Sequence, residues 1–190
     1  MLCYACAMLE RPRRILLKGT SGAGKSTLGR QLAELLAVPY VELDALHHGP
    51  SWSPAGATEL QARVRAVVDN ADGWVVDGNY GRKLGTLVID RAELIVWLDL
   101  PLPTKLRRLV RRTWLRYHRQ EELWNGNREG LATAFWGREA LFPWTVRSHF
   151  EHRRSWPREL SGRRLVRLRS AREVAEWLSS FNANAAPHRW

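Results

Sequence analysis

Cysteine is almost absent from this sequence, and the little there is argues against a metal or redox centre built on thiols. Cys3 and Cys6 are the two cysteines among the 190 residues. A zinc site of the C-x-x-C type needs a second pair, and a redox pair acts at a strand-to-helix turn, whereas this pair precedes the first predicted strand. We therefore interpret residues 1–12 as an N-terminal extension, expected to be flexible.

Long hydrophobic runs are also missing. No run approaches the roughly 18 apolar residues of a transmembrane helix, so none is predicted. Residues 1–10 are mostly apolar, but basic residues follow them instead of preceding them and no clear cleavage site appears, so no signal peptide is predicted. We expect a cytoplasmic protein with one domain over residues 13–182 and a tail over residues 183–190, because 45% hydrophobic content can form a full core at this length.

Acidic residues are scarce in the second half of the chain. Residues 1–100 hold 11 basic and 11 acidic side chains, whereas residues 101–190 hold 19 basic and 8 acidic ones. Arginine outnumbers lysine by 26 to 4, which suits bidentate phosphate recognition but can equally reflect genome composition. The excess of positive charge points to a polyanion, either the phosphates of a nucleotide or a nucleic acid backbone.

A glycine-rich stretch follows the first apolar run and precedes a helical apolar stripe. Gly19 and Gly24 enclose four residues, and Lys25 and Ser26 follow at once. This spacing is typical of a phosphate-binding loop, in which backbone N–H groups and a helix N-terminus surround the phosphates of a nucleoside triphosphate such as ATP. Lys25 would contact the β- and γ-phosphates and Ser26 would bind Mg²⁺. The predicted nucleotide-binding residues are Gly19, Thr20, Ser21, Gly22, Ala23, Gly24, Lys25, Ser26 and Thr27.

Residues 38–44 have the pattern of a second strand that ends in a carboxylate, Asp44. Ligands of open α/β sheets bind at this end of the strands, so we predict that Asp44 faces the phosphoryl acceptor. It could deprotonate an acceptor hydroxyl or hold a water molecule of Mg²⁺, and a plain turn aspartate is the alternative. The following loop carries His47, His48 and Trp52 and predicts an acceptor pocket. These histidines lack a metal-spaced partner, so zinc is not favoured.

The apolar run at residues 74–77 predicts a third strand that ends in Asp77. A P-loop protein needs a carboxylate at this place to orient the water shell of its metal, and Asp77 is our candidate for that role. Arg82 could clamp a phosphate or another acceptor anion. The predicted acceptor-binding residues are Asp44, Trp52, Asn79, Tyr80 and Arg82.

Strands and helices alternate along the rest of the chain. Residues 93–100 form a nearly continuous apolar run, as in a buried parallel strand, and residues 164–169 predict a fifth strand before a final helix. This alternation predicts an α/β domain with a single parallel sheet.

A predicted helix at residues 104–117 places Val110 and Trp114 on its core-facing side. Four arginines on the opposite side without an acid repel one another unless an anion receives some of them. The region from about 117 to 155 adds glycines and further arginines and is predicted to be a lid. The four arginines of the helix are Arg107, Arg108, Arg111 and Arg112.

Together these motifs resemble the nucleoside monophosphate kinase-like branch of the P-loop kinases, and within it the adenylate-kinase-related "topology modulation" proteins. The likeness covers roughly residues 13–180. It is carried by Leu43-Asp44-Ala45-Leu46, Asp77-Gly78-Asn79-Tyr80, Ile95-Val96-Trp97-Leu98-Asp99-Leu100-Pro101, Glu122-Leu123-Trp124-Asn125-Gly126-Asn127-Arg128-Glu129 and Arg147-Ser148-His149.

This resemblance implies a three-layer α/β/α P-loop fold with five strands in the order 2-3-1-4-5 and a helical lid. ATP would bind at the P-loop and the acceptor between strands 2 and 3. Arg108 and Arg112 would lie near the transferred phosphoryl group, Arg147 joins them as a catalytic candidate, and residues 170–172 would contact adenine. Where such kinases continue with Phe-Pro-Arg after Asp77-Gly78, this chain departs from the pattern, which argues against adenylate as the acceptor.

Two functions follow from these predictions. The first is phosphoryl transfer from ATP-Mg²⁺ to a small nucleotide, nucleoside or other hydroxyl compound, with Lys25 and the lid arginines neutralising charge. The second is a nucleic-acid-binding ATPase that stacks bases on exposed aromatic residues. A GTPase is not favoured, because no Asn-Lys-x-Asp motif occurs. With Trp97, Trp114 and Trp177 predicted to face the core, the candidates for stacking are Trp124, Trp136, Trp144 and Trp156.

Overall fold

The chain folds around one parallel β-sheet. A computed structural model describes residues 11–119, 122–127 and 140–183. The five strands lie in the order β2-β3-β1-β4-β5 and every pairing is parallel, which confirms the predicted topology. The strands are β1 (Arg14–Lys18), β2 (Tyr40–Glu42), β3 (Trp74–Asp77), β4 (Leu94–Leu98) and β5 (Leu165–Leu168).

Helices cover both faces of the sheet, so β3 and β4 are buried along their whole length. On one face the core includes Leu28 and Leu32 of the first helix, and on the other it includes Leu60, Val64 and Trp156. The fold is therefore the expected three-layer arrangement. The helices are α1 (Lys25–Leu36), α2 (Leu43–His47), α3 (Ala57–Val68), α4 (Gly81–Leu84), α5 (Leu102–Arg119), α6 (Leu141–Glu159) and α7 (Ala171–Ala183).

Register places the functional ends of the strands side by side. Leu17 pairs with Asp77 of β3 on one side and with Val96 of β4 on the other, and Glu42 of β2 pairs with Asp77. Because parallel strands end at the same edge, the loop after β1 and the carboxylates after β2 and β3 meet there.

The second strand is shorter than predicted. It ends at Glu42, and Asp44 lies in the first turn of α2 instead of at the end of a strand. Leu43 is 1% exposed and packs into the core, which turns the chain into the helix directly after Glu42. An aspartate in a first helical turn is favoured by the helix dipole. Asp44 still reaches the predicted edge of the sheet, one turn beyond the strand.

The core-facing side of α5 differs from the prediction. Trp114 is 57% exposed and Val110 is 48% exposed, whereas Lys105, Leu109 and Thr113 are buried. The apolar periodicity was compatible with either side, and the packing of α6 against α5 selects the side that carries Lys105. The prediction for Trp156 is also wrong, because this residue is 3% exposed and stacks on His152 within the core.

Several predictions fall outside the described residues. These include the structure of residues 1–10 with Cys3 and Cys6, the part of the predicted lid at residues 128–139 with Trp136, and the tail from residue 184. Within the ranges that the structure describes, every helix is too short or too polar to cross a lipid bilayer.

Candidate active site

The loop between β1 and α1 wraps its backbone around an open space at the sheet edge. Gly22 and Gly24 have φ angles of +75° and +95°, a region that side chains rarely occupy. A Cβ atom on Gly22 would lie 2.5 Å from the carbonyl oxygen of Lys105, so the loop packs directly on α5. Gly24 precedes α1 without contributing a side-chain cap, which leaves the N–H groups of the first turn directed at the open space. Such a terminus attracts anions.

Two carboxylates converge on the hydroxyl of Ser26 in the first turn of α1. Ser26 Oγ lies 2.9 Å from Glu42 Oε1 and 3.1 Å from Asp77 Oδ2. Lys25 Nζ lies 3.6 Å from Asp77 Oδ1, and the hydroxyl of Tyr40 donates a hydrogen bond to Asp77 Oδ2 at 3.0 Å. Burial and the carboxylate of Asp77 raise the pKa of Tyr40 above its usual range, so it stays a hydrogen-bond donor.

Glu42 is a functional candidate that the sequence analysis missed. It occupies the last position of β2, where Arg30 NH2 approaches Glu42 Oε2 to 3.7 Å and Trp124 Nε1 donates to the same oxygen at 3.3 Å. The sequence does carry a signal for it, since Glu42 stands two residues before Asp44. The sequence pattern predicts that the strand ends at Asp44, whereas β2 ends at Glu42, and this earlier end places Glu42 beside Ser26.

The oxygen atoms of Ser26, Glu42 and Asp77 fit a magnesium ion. Mg²⁺ prefers oxygen ligands, keeps several waters and is commonly bound through one or two carboxylates plus the phosphates of the substrate. Among the described residues no group of three His, Cys, Asp or Glu side chains could hold a metal ion alone. A metal here would therefore depend on the nucleotide for its remaining ligands.

Asp44 lies next to an aromatic hydroxyl on the acceptor side of the site. Tyr80 donates to Asp44 Oδ1 at 2.6 Å, and burial together with this carboxylate raises the pKa of Tyr80 above its usual range. The neighbouring Asn79 donates from Nδ2 to the carbonyl oxygen of Gly19 at 2.7 Å. Asn79 therefore ties the chain after β3 to the start of the P-loop.

Three rings form one side of the acceptor end, and we call His48, Trp52 and Trp124 the aromatic wall. The rings of His48 and Trp124 are nearly parallel, with centroids 6.1 Å apart and an interplanar angle of 18°. Trp52 stands roughly perpendicular to both, at 5.3 Å from His48 and 6.5 Å from Trp124. All three side chains line the same cavity as the P-loop.

Two asparagines join the separate segments that carry the aromatic wall, and we call Asn125 and Asn127 the asparagine clip. Asn127 is 4% exposed, donates to the carbonyl oxygens of Gly49 and Trp124 and accepts a hydrogen bond of 2.9 Å from the backbone N–H of Trp52. Asn125 donates to the carbonyl oxygen of His48. The turn at residues 124–126 is thereby fixed against the turn at residues 50–52.

Arginines of α5 and α6 line the cavity opposite the sheet edge. Arg108 NH1 donates to the carbonyl oxygen of Ala23 in the P-loop at 3.3 Å. Arg112 and Arg116 follow on the same side of α5, one and two turns farther along. Arg147 lines the cavity from α6 and forms an ion pair with Glu151 at 3.7 Å. Positive charge therefore surrounds the space above the P-loop.

One cavity of about 1430 Å³ connects these features. Three of the predicted site residues do not line this cavity: Gly19, Thr20 and Asp77. Asp77 contacts two residues that do line it, Lys25 and Ser26. Ala171, in the stretch expected to contact adenine, lines the opposite end. The predicted residues that line the cavity are Ser21, Gly22, Ala23, Gly24, Lys25, Ser26, Thr27, Asp44, Trp52, Asn79, Tyr80, Arg82, Arg108, Arg112 and Arg147.

Sequence comparison shows similarity to shikimate kinases. The family model of shikimate kinase matches residues 21–49, from the P-loop to the end of α2. The shikimate kinase of Synechococcus elongatus is 31% identical over 113 residues, covering 50% of this chain and 56% of that protein. The shikimate kinase of Halorhodospira halophila is 32% identical over 110 residues, covering 51% of this chain and 62% of that protein. The chain thus spans less than two thirds of these curated relatives.

Structural comparison shows the same fold in small-molecule kinases. The crystal structure of shikimate kinase from Bacteroides thetaiotaomicron has a TM-score of 0.54 at 16% identity, covering 90% of this chain and 97% of that chain. Shikimate kinase from Acinetobacter baumannii in complex with shikimate has a TM-score of 0.54 at 17% identity and covers 95% and 98%. A gluconokinase from Sinorhizobium meliloti has a TM-score of 0.52 at 19% identity and covers 93% of both chains.

Proposed function

We propose that this chain, whose fold is that of the P-loop kinases of the nucleoside monophosphate kinase-like superfamily, transfers the γ-phosphoryl group of ATP to a hydroxyl of a small acceptor. One observation carries the proposal. The same cavity is lined by the P-loop, including Lys25 and Ser26, and by the carboxylate-bearing residue Asp44. The shikimate kinase match over residues 21–49 covers this stretch and supports the same chemistry.

The reaction forms a bond between the acceptor oxygen and the γ-phosphorus and breaks the bond from that phosphorus to the bridging oxygen. ADP leaves with the electron pair of the broken bond. The proton of the acceptor hydroxyl passes to Asp44, which is the carboxylate at the acceptor end of the cavity. Tyr80 orients this carboxylate through its hydrogen bond to Oδ1.

Charge on the transferred group is balanced by the cations of the cavity. Lys25 leaves its contact with Asp77 to meet the β- and γ-phosphates, while the backbone N–H groups of the P-loop bind their oxygens. Arg108 is held at the P-loop by Ala23, and Arg112 and Arg147 face the same space. Preorganised charges of this kind stabilise the developing charge of phosphoryl transfer.

Ser26, Glu42 and Asp77 would hold the Mg²⁺ that accompanies ATP, with the carboxylates acting directly or through its waters. When bound, the ion supplies further charge neutralisation on the β- and γ-phosphates. The chain's own contribution is to keep the two carboxylates aimed at one point, which the β2–β3 register does.

The test is ATP consumption by the full-length chain with pooled nucleosides, nucleotides and small hydroxyl metabolites, shikimate included. We expect acceptor-dependent formation of ADP, lost on Lys25→Ala, while circular dichroism and unfolding show an intact fold. A matched change at Lys83, which donates to the carbonyl oxygen of Ala55 away from the P-loop, controls for the loss of a lysine. Acceptor-dependent turnover that survives Lys25→Ala would contradict the proposal.

Two narrower predictions from the sequence stay predictions. One is the likeness to the topology modulation proteins. The other is nucleic acid binding by the basic half of the chain, for which steep salt dependence of binding is the measurement.

A further inference from the structure

The acceptor end of the cavity differs in chemistry from the nucleotide end. The nucleotide end is formed by backbone N–H groups, Lys25 and the arginines of α5. The acceptor end carries the aromatic wall and the carboxylate of Asp44. Because the two ends share one cavity, the composition of the acceptor end determines which compounds can meet the γ-phosphate.

The aromatic wall is built before any acceptor binds. Its rings come from two segments that are more than 70 residues apart in sequence, and the asparagine clip joins these segments by hydrogen bonds to backbone atoms. A buried asparagine that uses both ends of its amide makes a rigid link, because each lost bond would leave a polar group unsatisfied. The rings are therefore held in place without the acceptor.

The carboxylate of Asp44 disfavours an acidic group on the part of the acceptor that lies next to it. Glu42 accepts a hydrogen bond from Trp124 Nε1, but Arg30 offsets its charge and it lies beside Ser26 at the proposed metal position. A neutral hydroxyl compound suits Asp44, because this carboxylate can take its proton.

The tryptophans of the aromatic wall favour an acceptor that has a planar ring. A Trp side chain offers a large flat face, and stacking of a base on an aromatic side chain contributes about 1–3 kcal/mol without requiring a particular base. Trp52 is 39% exposed, which is high for so large an apolar residue that faces a cavity, so it has ring surface left for a ligand to cover.

From these observations, and resting on the proposed function above, we propose that the acceptor is a nucleoside, a neutral compound with a planar base and a sugar hydroxyl. The base stacks on the exposed face of Trp52 and meets Trp124, which is perpendicular to Trp52, at its edge, and the sugar hydroxyl faces Asp44. The match to the family model ends at residue 49, before the two tryptophans of the aromatic wall, Trp52 and Trp124.

Binding without ATP provides the test. Calorimetric titration of the full-length chain uses adenosine, guanosine, cytidine and thymidine as probes, with ribose, shikimate and AMP as comparison compounds. We expect at least one nucleoside to bind about tenfold or more tightly than ribose and shikimate, which have no base to stack, and more tightly than AMP, whose phosphate is repelled by Asp44. Binding of ribose, shikimate or AMP as tight as that of the best nucleoside would overturn the proposal.

Substitutions in the aromatic wall test whether the nucleoside binds at this wall. Trp52→Leu should weaken nucleoside binding about tenfold or more and leave ATP binding within about twofold. Trp124→Leu should weaken nucleoside binding about threefold or more, as the loss of an edge contact predicts, whereas Trp52→Phe and Trp124→Phe retain most of the affinity. Trp114→Leu makes the same chemical change at an exposed site outside the cavity and should change neither affinity. Melting temperatures identify any variant that fails to fold, and the phenylalanine variants then carry the test. Unchanged nucleoside affinity in folded leucine variants would refute the role of the wall.

The outcomes separate this inference from the proposed function. Nucleoside binding without ATP-dependent phosphorylation of any acceptor would contradict the proposed function and leave the binding site standing. Lys25-dependent phosphorylation of a different compound, without nucleoside binding, would refute the inference and leave the kinase standing.

Discussion

Lys105 Nζ lies 2.6 Å from His149 Nδ1, and both side chains are almost completely buried, at 1% and 3% exposure. This contact joins the first turns of α5 to the middle of α6, directly beneath the P-loop, because the carbonyl oxygen of Lys105 also packs against Gly22. Burial lowers the pKa of Lys105 to about 8, against a smaller opposing effect of Asp99, and Arg153 and Lys25 lower it further. The pKa of His149 is lowered as well, chiefly by burial.

The burial of Lys105 predicts that the stability of the fold depends on pH. Above pH 10.5, the usual pKa of lysine, Lys105 is neutral in both states and its burial carries no charge penalty. As pH falls from there to about 8, the unfolded chain takes up a proton that the folded chain does not, so stability decreases. The full penalty, on the order of 3 kcal/mol, is present below pH 8.

Lys105→Met should remove this dependence while filling the same space. We expect the free energy of unfolding of the variant, relative to the parent chain, to be higher at pH 7.5 than at pH 10, with the difference approaching the charge penalty. Urea unfolding at both pH values measures it, and groups that titrate in both proteins cancel. Parallel pH profiles of parent and variant would show that Lys105 carries no such penalty.

Glu42→Gln tests the proposed role of Glu42 in binding Mg²⁺. The change keeps the shape of the side chain but removes one of the two charges around Ser26. We expect kcat to fall about tenfold to a hundredfold and the Mg²⁺ concentration for half-maximal rate to rise, because each removed charge weakens metal binding. Steady-state rates across a Mg²⁺ titration provide the measurement.

Glu34→Gln is the matched control for this change, since Glu34 lies on the exposed side of α1 and does not line the cavity. It should leave the Mg²⁺ titration unchanged. An identical Mg²⁺ requirement in Glu42→Gln and the parent chain would exclude Glu42 from the metal site.

Gly22→Ala should disrupt the P-loop itself. The new Cβ would lie 2.5 Å from the carbonyl oxygen of Lys105 and would also occupy a backbone conformation at φ +75°. Because backbone atoms cannot give way easily, we expect a destabilisation of about 1–3 kcal/mol and a loss of ATP binding. Gly56→Ala, where nothing lies within 4 Å of the new Cβ, replaces the glycine N-cap of α3, should cost about 1 kcal/mol or less and should leave ATP binding unchanged. Calorimetry with ATP and thermal unfolding compare the two variants, and equal behaviour would contradict the role of Gly22.

Local sequence patterns predicted the fold because each pattern is compatible with only one kind of secondary structure in one kind of environment. The loop from Gly19 to Ser26 and the apolar runs at β1, β3 and β4 fix a parallel sheet, since only helices on both faces can bury such strands. The order of the strands came from the resemblance. The side of α5 that faces the core could not be read in the same way, because the helix has apolar residues on two sides and α6 decides between them.

The candidate site was predictable where it depends on sequence neighbours and missed where it depends on distant ones. Asp77 is the last residue of β3 and is predicted from the sequence alone. Glu42 requires the end of β2, which is set by the burial of Leu43. The asparagine clip joins residues more than 70 positions apart. Asn125 and Asn127 belong to the segment at residues 122–129 that carries the family resemblance, but nothing in that segment predicts which distant residues they contact.

Asn127 of the asparagine clip does not line the cavity, yet we expect it to control how tightly the acceptor binds. Asn127→Ala removes two hydrogen bonds that fix the turn at 124–126 against the segment at 49–52, and a third within the turn at 124–126. We expect the KM for the acceptor to rise about tenfold while the KM for ATP stays within about twofold, because the aromatic wall loses its position but the P-loop does not. Asn70→Ala, at the end of α3, removes an exposed asparagine that bonds within its own helix and serves as the control. Steady-state kinetics with each substrate varied in turn separate the two constants. An equal loss for ATP and acceptor would mean that Asn127 supports the fold in general and does not position the wall.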